Sequence, residues 1–262
     1  MKKRILYVIW VLMVGITLTA CGNGEPATAP SVAENDKSAI QNKLNKTDSE
    51  SETQSENKDE NISETEDISE KISTDDVNVP VTELETESYG VNVLVAYFSR
   101  ANENYGVGSV DVGNTQIIAE YIVEQVGADS FHIETVTPYP ADYDECCDVA
   151  KQEQADNARP ELNDNVENMD SYDIVFLGYP IWWGDMPMAV YTFMESYDFS
   201  DKIVIPFNTH EGSGKAGTYS AISSALKNSQ VLDGMAIQGK TAQEFNSDTQ
   251  QAVRDWLDAL GF

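Results

Sequence analysis

Ser99 and Arg100 are separated by twelve residues, Ala101 to Val112, from Gly113, Asn114 and Thr115, which open a run with helical spacing. A helix that starts on glycine, amide and hydroxyl residues leaves free backbone N–H groups at its positive end. Such a start attracts an anion without a lysine cluster. Arg100 is the only base near it and need not touch the anion. A second stretch, Tyr179-Pro180-Ile181-Trp182-Trp183-Gly184, places two indoles after an apolar run. An indole offers a flat apolar face to an aromatic ring. A third, Asn208-Thr209-His210-Glu211-Gly212-Ser213-Gly214, is rich in glycine, which lets backbone approach a ligand edge.

An anion at one end, an aromatic plate in the middle and backbone donors at the far edge together describe flavin mononucleotide, FMN. Simpler roles stand beside these. Neighbours such as Trp182 and Trp183 face opposite ways, so one belongs to the core and one to the site, and Trp183 is assigned to the site. His210 either caps a turn or lies near the pyrimidine edge of the ring. Asn114 is a phosphate contact or only a helix cap. The segment from Tyr139 to Pro160, with Tyr143 and Cys146, is a helix and a turn or a wall over the flavin. Cys146 and Cys147 are adjacent, about 100° apart on a helix, a poor geometry for a disulfide. They read as two unpaired thiols or as a redox-active vicinal pair. Two scattered His and these cysteines give no metal-ligand spacing.

The elements that must hold these loops are legible in the apolar pattern. Val91 to Phe98 is an almost continuous apolar run, as strands buried on both faces give. Further strands are expected over Ser130–Val136, Tyr172–Gly178, Lys202–Phe207 and Val231–Gln238. Helices are expected over Asn114–Val126, Tyr143–Asp156, Pro187–Ser196, Gly217–Lys227 and Asp248–Leu260. Five strands alternating with five helices predict an α/β fold with a doubly wound parallel sheet and helices on both faces. Ligands of such sheets bind outside the carboxyl ends of the strands, where the three loops lie. The stretch from Ala101 to Val112 is longer than most connections, which points to function or movement.

The chain has 262 residues and a formal charge of −29. That sign argues against nucleic acid and anionic membrane surfaces as partners. Residues 22–88 hold 18 acids, 5 lysines and no aromatic residue, so they read as an acidic disordered tether spanning 21–88. Such a tether would reach roughly 45 Å. Residues 89–262 supply the core of one domain. At the other end, Lys2, Lys3 and Arg4 precede an apolar run from Ile5 to Thr17, too short to span a bilayer comfortably. Leu18-Thr19-Ala20-Cys21 resembles the lipobox of bacterial lipoprotein signal peptides. The resemblance implies that residues 1–20 are removed and that Cys21 is lipidated. The domain is then expected outside the cytoplasm on the cell membrane, anchored by acyl chains.

The region from residue 89 onward resembles the flavodoxin family. Ser99, Gly113, Asn114 and Thr115 are similar to that family's phosphate loop, Ser/Thr-x-Thr-Gly-x-Thr, split here by the insertion and without its middle hydroxyl. Tyr179 to Gly184 and Thr209 to Gly214 are similar to the two loops that flank the flavin ring, with Pro180 to Gly184 and Thr209 to Ser213 the implied flavin contacts. The resemblance implies the strand order 2-1-3-4-5, with FMN as cofactor.

An exported, membrane-anchored FMN protein that carries electrons is the first reading. The flavin would carry the chemistry, and nearby negative charge would lower its potential. Its partners would be redox proteins or a small-molecule acceptor. The second reading is an FMN-dependent NAD(P)H oxidoreductase of the quinone or nitro reductase type. The third is a lipoprotein binding module without flavin.

Overall fold

The computed structural model describes residues 90–262. The expected signal peptide, the expected lipidation site Cys21 and the expected tether lie outside the described residues. The central sheet comprises β1 (Val93–Tyr97), β4 (Asp129–His132), β5 (Ile174–Pro180), β6 (Ile203–His210), β7 (Gln230–Val231) and β8 (Met235–Gln238). Every pairing in it is parallel, in the order β4-β1-β5-β6-β7, with β8 also on β6. With β7 and β8 counted as one edge, this is the expected 2-1-3-4-5 order.

The strands alternate their side chains between two cores. Val95, Tyr97, Ile174, Phe176, Ile205 and Phe207 face one way. They pack against α1 (Asn114–Val126), α5 (Gly239–Glu244) and α6 (Ser247–Leu260), whose Trp256 is fully buried. Leu94, Ala96, Phe98, Val175, Leu177 and Tyr179 face the other way, against α3 (Met188–Ser196) and α4 (Thr218–Ala225). A further helix, α2 (Tyr143–Asp156), begins where the Asp142 carboxylate accepts the Glu145 amide at 2.9 Å.

Four elements differ from the sequence expectation, the first being α5, a sixth helix where none is expected. The fifth strand is two pieces because Pro206 in β6 has no N–H to donate to the edge. Gly234 instead lies over Pro206, where a Cβ would come within 1.7 Å of the Pro206 carbonyl oxygen. The strand expected over Ser130–Val136 ends at His132, leaving only an isolated bridge between Thr135 and Leu162. The insertion is not a plain loop. It forms an antiparallel hairpin, β2 (Asn102–Asn104) with β3 (Gly108–Val110), turning through Gly106 at φ 78°.

Candidate functional site

The start of α1 is built by a close approach of two chain segments. Ser99 Oγ accepts the amide of Gln116 at 3.1 Å, so a residue far back in sequence caps the helix. A Cβ on Gly113 would lie 2.2 Å from Ser99 Oγ and 2.5 Å from the Arg100 carbonyl oxygen. Only glycine permits that contact. Helix geometry leaves the amides of Asn114 and Thr115 without an intrahelical acceptor. The Thr115 side chain turns inward instead. It is 1% exposed, and its hydroxyl lies 2.8 Å from that of Thr209, tying α1 to β6.

Arg100 is a clamp. Its guanidinium donates to the carbonyls of Pro140 (2.6 Å), Ala141 (2.7 Å), Asp142 (3.3 Å) and Glu103. The Glu103 carboxylate in turn accepts the Tyr143 amide at 3.2 Å. These bonds fasten the hairpin to the turn before α2. Tyr105 at the hairpin tip is 65% exposed, and its ring centre lies 6.0 Å from that of Tyr143.

After β5 the chain makes a tight turn. Trp182 and Asp185 exchange both backbone hydrogen bonds, at 2.8 and 2.9 Å. The two residues between them, Trp183 and Gly184, have φ of 51° and 76°. Two central residues at positive φ match a type I′ turn. For a tryptophan that backbone costs about 1–2 kcal/mol. The strain aims the two neighbours apart. Trp182 packs edge-on against Phe98 (5.3 Å) and Tyr139 (5.1 Å). Trp183 stays 54% exposed, its Nε1–H donating to the Cys147 carbonyl at 3.1 Å and the Lys151 ammonium lying 5.3 Å from its ring centre.

The third loop follows β6. His210 Nδ1 accepts the Gly212 amide at 3.0 Å, so this histidine does cap a turn, and Gly212 sits at φ 106°. Burial pushes the His210 imidazole below its ordinary value, with Glu211 pulling the other way. A neutral ring that accepts at Nδ1 carries its proton on Nε2. Below the loop, Asn208 donates to the Gly214 carbonyl at 3.0 Å and accepts the Tyr219 hydroxyl at 3.1 Å. Ile181 donates to the Thr209 carbonyl at 2.9 Å, which joins the second loop to the third.

These loops enclose a cleft of about 270 Å³ at the carboxyl ends of β1, β5 and β6. That volume lies just below the range of about 300–1,000 Å³ usual for a small-molecule site. Residues 143, 146, 147 and 150 line it from one stripe of α2. Cys146 is buried, which pushes its thiol up to about 11 against the opposing charge of Arg100. It stays protonated at neutral pH and is not a nucleophile. Among the described residues no group of side chains could hold a metal ion, and no helix is long and apolar enough to cross a membrane. The arrangement suits a planar ring beside Trp183, with a polar edge toward loop 208–214 and an anionic tail toward α1.

The family profile described as Flavodoxin matches residues 92–260. The chain belongs to the flavodoxin family. Two solved structures resemble this flavodoxin domain. One is described as a flavoprotein from Bacteroides eggerthii: it is 29% identical, covers 66% of this chain and 99% of its own, and has a TM-score of 0.54. The other, described as a flavoprotein from Bacteroides uniformis, is 26% identical, covers 64% of this chain and 99% of its own, and has a TM-score of 0.52. No curated protein matches the sequence.

The flavodoxin domain brings most of the residues singled out in the sequence to one place. Arg100, Asn114, Pro180, Ile181, Trp182 and Trp183 line the cleft, as do Gly184, Thr209, His210, Glu211 and Ser213. Ser99, Gly113, Thr115 and Gly212 are not among the lining residues; the first three shape the start of α1 from behind. The α2 stripe takes the wall position that the sequence left open. Asn104 and Tyr105 line the cleft without having been foreseen. Tyr105 is the one aromatic residue of the insertion, and that was the available signal.

Proposed function

We propose that this flavodoxin-family protein binds FMN in the cleft and carries electrons, outside the cytoplasm, from a lipid anchor on Cys21. The observation that carries the reading is the convergence of three separate loops on one cleft, with the Trp183 indole presented by a strained turn. The two similar structures described as flavoproteins support a flavin ligand. When bound, a flavin supplies the one- and two-electron chemistry that amino-acid side chains lack.

This chain's residues fit such a group. The free amides of Asn114 and Thr115 at the start of α1, where Asn114 lines the cleft, would hold the phosphate. Trp183 would lie against the ring. The His210 Nε2–H and the backbone of Ser213 would meet its polar edge. Ile181, Trp182 and Ala150 would exclude water. Electrons would pass to a redox protein or a small-molecule acceptor.

Stripping the full chain of ligand and titrating it with FMN tests the reading. Saturable quenching of flavin fluorescence is expected at micromolar levels. Steady-state oxidation of NADH or NADPH by the loaded protein should be negligible, and sustained turnover would move the assignment to the reductase. The anchor is tested by fractionation. A Cys21→Ser protein should leave the membrane fraction, and one that stayed there would contradict the lipid.

A further inference from the structure

Backbone from two elements, the hairpin turn and the start of α5, closes around the Glu211 carboxylate. A Cβ on Gly106, at the hairpin turn, would lie 2.9 Å from Glu211 Cδ. A Cβ on Gly239, where α5 begins, would lie 2.5 Å from Glu211 Oε1 and 2.3 Å from Asn114 Nδ2. Glu211 therefore shares one tight space with the first residue of α1. The carboxylate is held there, since Oε1 accepts the Lys240 amide at 3.1 Å and Oε2 accepts the Gln238 side chain at 3.2 Å. Three cations of the surrounding segments are committed elsewhere. Arg100 donates to four carbonyls, Lys215 pairs with Asp233 at 2.8 Å, and the Lys240 ammonium lies 3.9 Å from Glu244.

A negative side chain thus stands beside the helix start that favours an anion. A phosphomonoester carries about −1.5 to −2 at pH 7. In a partly buried site, two like charges a few ångströms apart interact far more strongly than they would in water. We infer that Glu211 sets the charge selectivity of the cleft. Its carboxylate offsets much of the attraction of α1 for phosphate, so the cleft holds a flavin chiefly by its ring and discriminates weakly between FMN and riboflavin. The inference rests on the flavin reading above.

The test compares two ligands on two proteins. Wild type and Glu211→Gln are titrated with FMN and with riboflavin, following flavin fluorescence. Glutamine keeps an oxygen for the Lys240 amide and the same shape. Removing one like charge should tighten FMN about tenfold, while riboflavin changes less than about twofold. Gln238→Lys leaves Glu211 in place and sets a cation against it, so it should raise the FMN-to-riboflavin affinity ratio in the same direction. Thermal melting checks that both variants fold. If both flavins bind wild type and neither variant raises the ratio, the role of Glu211 is wrong and the flavin reading stands. If neither flavin binds wild type, the flavin reading falls, and this inference with it.

Discussion

The two ends of the cleft use their polar residues differently. At the α1 end, the groups most suggestive of ligand binding are committed to the protein itself. Ser99 caps Gln116, Thr115 bonds Thr209, and Arg100 binds four carbonyls. At the loop end, Trp183 is exposed, and His210, which lines the cleft, spends Nδ1 on Gly212. A hydroxyl or guanidinium close to a site has two possible employers, ligand and scaffold. Where backbone carbonyls and helix amides are left over by tight turns, the scaffold takes it. The α1 end then offers a ligand mainly backbone amides and shape.

If the α1 end is scaffold, substitutions there should affect folding first. Gly113→Ala drives a methyl into Ser99 Oγ and the Arg100 carbonyl, and the second is backbone that cannot rotate away. It should cost about 3 kcal/mol, as overpacking of a tight backbone contact does. Denaturant unfolding would show it, and an unchanged midpoint would mean that the two segments are further apart. Arg100→Ala should cost about 2 kcal/mol, because charged hydrogen bonds are lost from carbonyls partly shielded from water. It should also open the hairpin to limited proteolysis within residues 101–112. Arg100→Lys should restore little, since an ammonium cannot fork across four acceptors.

The loop end should show the reverse. Trp183→Ala removes an exposed ring, so stability should hardly move. Flavin affinity should fall by tens-fold, on the scale of about 1–3 kcal/mol for aromatic stacking. Trp182→Ala removes the partner of Phe98 and Tyr139 and should cost about 2–3 kcal/mol of stability, less than a fully buried tryptophan. Swapped phenotypes would mean that the turn presents the other indole. The smallest effect concerns His210. Burial lowers its pKa when folded, so the unfolded chain accepts a proton that the folded chain resists. Its contribution to stability is complete above about pH 6.5 and is lost as pH falls through the folded midpoint. An NMR titration should place that midpoint below about 6.5. A midpoint at or above it would contradict the Gly212 cap.

How much of this could be read from the chain differs by element. β1, β5 and β6 were legible because residues such as Leu94, Val175 and Ile205 are buried on both faces of the sheet, which demands unbroken apolar runs. The hairpin was not, because Asn102-Glu103-Asn104 has no alternation and is held by Arg100 rather than by burial. Helix α5 is one short polar-faced segment whose only deeply buried side chain is Ala242. The cleft residues of the loops were legible from residue type. The partners of Ser99 and Thr115 were not, since Gln116 and Thr209 meet them only through the folded sheet.

The central claim is that this cleft is a flavin site, and FMN titration of the ligand-free full chain tests it most directly. The account predicts one equivalent of FMN bound at micromolar concentration or tighter, with strong fluorescence quenching that Trp183→Ala relieves. Fluorescence that remains that of free FMN at every protein concentration would contradict it.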